Sequence, residues 1–117
     1  MQNNCHYARL IQEQAAQYGN RTALKYRDYE ENVWKPVSWT EFADKVNRVS
    51  RALVALAVGV QERVAVFSQN KPECLYVDFG AYGIRTVTIP FYATSSMAQV
   101  AYMMKDPQKY IRLKCRN

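Results

Sequence analysis

The sequence predicts an α/β fold in which an N-terminal helix and a β-hairpin precede a βαβαβ-type parallel sheet flanked by helices. Three observations carry this prediction. Residues 63–96, RVAVFSQNKPECLYVDFGAYGIRTVTIPFYATSS, read strand, helix, strand. Apolar residues recur at helical spacing over residues 4–18 and again over 42–56. Between those two stretches, two short β-rich runs flank an acidic loop.

The central unit organises the rest. Arg63–Phe67 is apolar on both faces, as a strand covered on both sides of a parallel sheet would be. Asn70 is placed to cap the following helix, and Pro72 suits the first turn, where a missing N–H costs nothing. Leu75, Phe79 and Tyr82 recur at helical spacing, and Gly83 offers a left-handed stop. Thr86–Ile89 is a second β-branched strand, which Pro90 is expected to close. Strand, crossover helix and strand make a compact βαβ unit, right-handed by the usual rule. Such units often hold nucleotides, so the turn after the first strand is the place to look. That turn, Ser68-Gln69-Asn70-Lys71-Pro72, has no glycine to let a pyrophosphate approach the backbone closely. It therefore reads as a structural crossover.

Composition narrows the class further. The 117 residues are 49% hydrophobic, enough to build a core, yet no run approaches the ~20 apolar residues of a spanning helix. The beginning, MQNNCHYARLIQEQ, lacks a secretory pattern. Three cysteines, Cys5, Cys74 and Cys115, without CxxC spacing indicate free thiols in a reducing cytoplasm and neither a disulfide framework nor a zinc site. The net charge is +6, but Lys105, Lys109, Arg112, Lys114 and Arg116 stand against Asp106 alone, leaving eleven basic and nine acidic groups over the first 104 residues. A basic excess borne mostly by a tail reads as solvated surface, with neither nucleic acid nor stable membrane insertion implied.

In chain order, Tyr7, Ile11, Ala15 and Tyr18 mark an amphipathic helix over Asn4–Tyr18, ended by Gly19. His6, the single histidine, has no nearby acid or thiol and reads as a surface residue. Thr22–Arg27 and Val33–Val37 form a hairpin around the loop Asp28-Tyr29-Glu30-Glu31-Asn32, and Pro36 puts the second strand at an edge. Glu30 and Glu31 on that loop tip read as solubilising. Ser38-Trp39-Thr40-Glu41 fits a capping box, and Phe42, Val46, Val49, Leu53 and Leu56 mark the helix face behind it, with Gly59 as the stop. Lys45, Arg48 and Arg51 lie on its polar side, diluted by Glu41 and Asp44. After Phe91-Tyr92-Ala93-Thr94-Ser95-Ser96 comes a short helix with Met97, Val100, Ala101 and Met104 inward. It opens on a second capping-box pair, Ser96 and Gln99, and Pro107 stops it. Lys109–Cys115 alternates as a half-exposed third strand would.

With these elements in place, the chain resembles the start of an AMP-forming acyl-CoA synthetase, of the long-chain fatty-acid–CoA ligase type among adenylate-forming enzymes. Tyr26 and Arg27 with Val37-Ser38-Trp39-Thr40-Glu41-Phe42, then Arg63-Val64-Ala65-Val66-Phe67-Ser68 with Asn70-Lys71-Pro72-Glu73, carry the resemblance. Val87-Thr88-Ile89-Pro90-Phe91-Tyr92-Ala93-Thr94-Ser95-Ser96 and Gln99-Val100-Ala101-Tyr102-Met103 complete it. It covers about residues 6 to 105, and the order and spacing of the pieces make it specific.

The resemblance implies a partial N-terminal domain of the adenylate-forming fold, with residues 1–106 as its first subdomain and 107–117 as a divergent basic tail. IRLKCRN at the end replaces an expected apolar strand and reads as a frameshifted or truncated frame. The family reaction joins an acid to CoA through an acyl-adenylate made from Mg-ATP. The family's phosphate loop, adenine-contacting segment, ribose-binding aspartate and C-terminal catalytic lysine have no counterpart in this sequence, and Thr94-Ser95-Ser96 is not that loop. The expectation is accordingly no catalytic, cofactor-binding or metal-binding residue here, and no activity from this stretch alone. ATP, magnesium, CoA and the fatty acid belong to the full-length enzyme. The alternative is a stand-alone assembly module that self-associates through exposed core faces.

Overall fold

The computed structural model describes residues 6–92, 94–103, 105 and 110–114. Its elements run α1 (Tyr7–Tyr18), β1 (Thr22–Asp28), β2 (Val33–Ser38), α2 (Trp39–Ala55), β3 (Arg63–Ser68), α3 (Pro72–Gly83), β4 (Val87–Tyr92), α4 (Met97–Met103) and β5 (Tyr110–Lys114). β1 and β2 pair antiparallel as a two-stranded sheet, and β3, β4 and β5 form a parallel sheet in the order β4-β3-β5. This is the expected α/β plan. Asn4, Met104, Pro107 and Cys115, which figured in the sequence reading, lie outside the described residues.

α2 is the spine. The Ser38 hydroxyl accepts from the Glu41 amide at 3.1 Å while the Glu41 carboxylate accepts from the Ser38 amide at 3.1 Å, so the expected capping box closes the helix start. The first half of α2 buries Phe42, Ala43 and Val46 with Ile11 of α1 and Val37 of β2. Its second half buries Leu53 with Val58, Val64 and Val66 of the β3 side and Val77 and Ala81 of α3. One stripe thus feeds two cores. Leu56, expected on that stripe, is 56% exposed, because the helix ends at Ala55 and the chain turns away.

Turns differ from the sequence reading in an instructive way. Gly19 has φ +43° and ends α1 as expected. Gly59 and Gly83, however, are not in the left-handed region. Ala57 (φ +59°) and Arg85 (φ +58°) take those turns instead. The segment after α2 is held by a set of polar ties that offsets the strain. Thr86, buried, donates its hydroxyl to the Gly59 carbonyl at 3.1 Å, and the Gly59 amide donates to the Glu62 carboxylate at 2.9 Å. The Gln61 amide then reaches the Arg85 carbonyl at 2.8 Å, and the Val87 amide reaches the Glu62 carbonyl at 2.9 Å, which starts the parallel ladder.

α3 corrects three expectations. Its N-cap is Lys71, with no side-chain cap from Asn70, and Pro72 opens the helix. The buried residues are Val77, Gly80 and Ala81, while Leu75 and Tyr82 are 42% and 39% exposed. Small residues face inward because α2 passes close. A Cβ on Gly80 would sit 2.8 Å from Val49 Cγ1 and 3.2 Å from the Val46 carbonyl oxygen, and the Ser50 hydroxyl donates to the Gly80 carbonyl at 2.7 Å.

β4 continues through Pro90 to Tyr92 and is not closed by it. Pro90 stands in register with Val66, and β4 is an edge strand, which needs ladder partners on one side only. α4 opens with its own capping box, the Ser96 amide donating to Gln99 Oε1 at 2.9 Å and the Gln99 amide to Ser96 Oγ at 3.2 Å. Of the residues expected inward, Val100 is half-buried while Met97 and Ala101 are exposed. α4 buries no residue, and Met97 is 90% exposed. β5 pairs parallel with β3, so the third strand forms.

Candidate functional site

The β3–α3 connection is where a βαβ unit would place a phosphate-bearing ligand. Here the turn is folded upon itself. The Gln69 carbonyl accepts from its neighbour Ser68 Oγ at 2.9 Å and from Cys74 Sγ at 3.2 Å. Glu73 places a carboxylate in the first turn of α3, which takes up the favourable end of the helix dipole and repels an anion. None of the four glycines lies in this turn. In the hydroxyl run at Thr94–Ser96, the Ser96 hydroxyl is spent on capping α4.

A second place is a groove of about 650 Å³ between the hairpin and the N-terminal ends of α2 and α3. Tyr26, Lys35, Glu41, Lys45, Glu73 and Tyr76 are among the residues that line it. The carboxylate of Glu41 is committed to the capping box and the ammonium of Lys35 to two acids, Asp28 at 2.7 Å and Glu31 at 3.0 Å. Burial pushes the Tyr76 phenol up, with Glu73, Tyr26 and Glu41 adding to it, so it stays protonated and a donor at neutral pH. The groove can hydrogen-bond a polar surface. It brings no nucleophile, base and orienting acid together.

The acidic loop has a hub that the sequence reading passed over. Asp28 accepts from the Glu30 and Glu31 amides at 3.0 and 3.1 Å as well as from Lys35. An aspartate followed by turn residues is a recognisable signal for this arrangement. Glu31 joins the ion pair while Glu30 stays at the exposed tip. The Lys35 hydrogen bond, then the Glu31 amide, holds the Asp28 carboxyl below its ordinary range. Asp28, then Glu31, raises the Lys35 ammonium above its own. The depressed Asp28 value means its contribution to stability is present above about pH 3.9 and is lost as pH falls through the folded-state value. The raised Lys35 value means its contribution is present below about pH 10.4 and is lost as pH rises through the folded-state value. Asp28→Asn keeps the amide acceptor but removes the charge. Its small loss of urea midpoint at pH 7 should shrink as pH falls through the folded-state value of Asp28; an undiminished difference in acid contradicts the assignment.

His6 is exposed at the start of α1, where its backbone carbonyl accepts from the Arg9 and Leu10 amides. Among the described residues no three His, Cys, Asp or Glu side chains gather as a metal-ion site would require. No helix among them is long and apolar enough to cross a membrane.

Known proteins now place this architecture. The family model of the AMP-binding enzymes matches residues 11–109. The long-chain-fatty-acid–CoA ligase FadD15 of Mycobacterium bovis is 30% identical over 86 residues, which is 74% of this chain and 14% of that one. The crotonobetaine/carnitine–CoA ligase of Salmonella paratyphi B is 26% identical over 94 residues, 80% of this chain and 18% of the relative. Among solved structures, the N-terminal domain of FACL13 from Mycobacterium tuberculosis superposes with a TM-score of 0.80 at 18% identity, covering 93% of this chain and 26% of that domain. The O-succinylbenzoate coenzyme A synthetase of Bacillus subtilis, solved with ATP and magnesium, gives 0.77 at 19% identity, covering 91% and 27%. The fold is therefore that of the N-terminal domains of adenylate-forming enzymes, and the chain belongs to the AMP-binding enzyme family. It spans about one seventh of the FadD15 chain. The β3–α3 turn lacks the glycine that would let a triphosphate approach its backbone closely, and no ligand cluster for the accompanying metal gathers among the described residues.

Proposed function

We propose that the chain forms the first subdomain of a long-chain fatty-acid–CoA ligase and that these 117 residues carry out no catalysis alone. The carrying observation is the long-chain-ligase relative at 30% identity together with a glycine-free β3–α3 turn in which the Ser68 hydroxyl and Cys74 thiol both donate to the Gln69 carbonyl. In the family reaction a carboxylic acid and Mg-ATP give an acyl-adenylate and pyrophosphate, and CoA then takes the acyl group as a thioester. That chemistry needs cations and hydrogen-bond donors fixed around the triphosphate, where charge builds up. No residue of this chain is assigned to that work. The role of the subdomain is to supply the packed α2–α3–sheet layer on which the rest of the fold is laid, in a cytoplasmic setting consistent with its odd number of cysteines. Incubation of the chain with ATP, magnesium, a long-chain acid and CoA should leave the CoA thiol undiminished against a protein-free blank. Sustained thioester formation would sink the reading.

The exposure of α4 favours a second reading, a self-associating assembly module. Sedimentation velocity across a hundredfold dilution series (on the order of micromolar upward, where exposed apolar faces associate) would then show dimers or larger species. A monomer at every concentration excludes it.

A further inference from the structure

The groove between the hairpin and the starts of α2 and α3 has the size of a ligand site and a one-sided charge. Its volume of about 650 Å³ lies within the ~300–1,000 Å³ of small-molecule pockets. The rings of Tyr26, Pro36, Pro72 and Tyr76 give it apolar walls, drawn from both hairpin strands and from α3. Three carboxylates line it as well, Glu41 and Asp44 from α2 and Glu73 from α3. The lining cations do not balance them. Lys35 is neutralised by Asp28 and Glu31 at 2.7 and 3.0 Å, which leaves Lys45 as the one lining cation without an ion pair among the described residues. Glu41 lends only Oε2 to the Ser38 amide and keeps its charge. Asp44 meets Arg48 at 2.9 Å, but both side chains are exposed and such a pair is weak. Glu73 makes no ion pair among the described residues. The acids act on the same spot: after burial itself, Glu73, Tyr26 and Glu41 push the Tyr76 phenol up.

We propose that this groove binds a small organic cation, an ammonium or guanidinium on an apolar stem, with its head among Glu41, Asp44 and Glu73 and its stem against Tyr26 and Tyr76. Charge complementarity selects this class. An anion meets three acids, and a neutral ligand leaves them uncompensated. A cation is attracted both by the carboxylates and by the faces of the tyrosine rings, which carry the negative end of the ring quadrupole. The site asks nothing of the ligase reading and stands whether or not the chain forms a thioester.

The test titrates the 117-residue chain with phenethylamine, phenethyl alcohol and phenylpropionate, which share one stem and differ in the charge of the head. Binding is followed by calorimetry and by the ring resonances of Tyr26 and Tyr76. The amine should bind about tenfold more tightly than the alcohol, the combined worth of a cation–ring contact and exposed charge pairs. The carboxylate should not bind, and both tyrosine rings should shift with the amine. Glu41→Gln keeps an oxygen for the capping box, as Gln99 does in α4, so the helix start survives while the charge is lost. Combined with Glu73→Gln at an exposed position, it should weaken the amine about tenfold and bring it level with the alcohol. Lys45→Gln, which removes the competing ammonium, should tighten the amine about threefold. Glu30→Gln removes the same charge at the hairpin tip, outside the groove, and should change nothing. The proposal is overturned if the amine binds no better than the alcohol, or if the paired substitution leaves its affinity unchanged. An equal loss from Glu30→Gln, or binding that leaves the Tyr26 and Tyr76 resonances in place, overturns it as well.

Discussion

Phe42→Ala lowers the unfolding free energy by about 3–5 kcal/mol, read as a drop in urea midpoint with an unchanged slope. Phe42 is 3% exposed at the point where α1, the hairpin, α2 and α3 converge. Its ring meets three others, Trp39 at 6.1 Å, Tyr76 at 5.3 Å and Phe79 at 5.9 Å between centroids, two of them edge-on. Truncation removes the ring's buried area and leaves a cavity whose walls belong to four elements, so no single one can collapse into it. The aromatic pairings add to the loss, each worth about 0.5–1.5 kcal/mol beyond area. A loss below about 1 kcal/mol would mean that this cluster is not a core.

Gly80→Ala is the second large effect, and its sign is less obvious. Alanine gains about 1 kcal/mol over glycine in a helix interior. Against this, the new Cβ would lie 2.8 Å from Val49 Cγ1 and 3.0 Å from Val49 Cβ, with the Val46 carbonyl oxygen behind. Valine in a helix is held to essentially one rotamer, so Val49 cannot swing aside. α2 and α3 must separate, which also strains the Ser50–Gly80 hydrogen bond. Overpacking of this kind costs about 1–3 kcal/mol and outweighs the propensity gain. Pairing the change with Val49→Ala should recover much of the loss in a double-mutant cycle. Equal stability of Gly80→Ala and the wild type would show that the helices can part freely.

Much of this was readable before any coordinates. Ser38 and Glu41 at capping-box spacing, followed by the 42–46–49–53 stripe, give α2 its start, its face and its phase. The β-rich runs on either side of the Asp28 loop give the hairpin. The readings that failed share a cause, namely that the deciding neighbour is distant in sequence. α3 is apolar nearly all round, so spacing alone picks out its large residues, whereas close passage of α2 selects Gly80 and Ala81 for the inside. The turns at Ala57 and Arg85 are taken by non-glycine residues because ties such as Thr86 to Gly59 impose them. α4 has a helical pattern, but a pattern says which residues could be buried and not whether anything lies opposite. At the candidate site, Pro72 announced a tight entry into α3. That the Gln69 carbonyl would be claimed by Ser68 and Cys74 depended on the fold of the turn itself.

The single stripe of α2 carries a consequence for the phase of the molecule. Phe42 and Val46 belong to the hairpin-side core and Leu53 to the sheet-side core, yet all three sit on one line along one rod. Each residue of an α-helix advances that line by about 100°. One residue added or lost between Val46 and Leu53 would therefore turn the two cores about a third of a revolution apart, with every side chain unchanged. The length of this helix is a clock setting, and the hairpin and the parallel sheet keep the same time only because it is read without a slip.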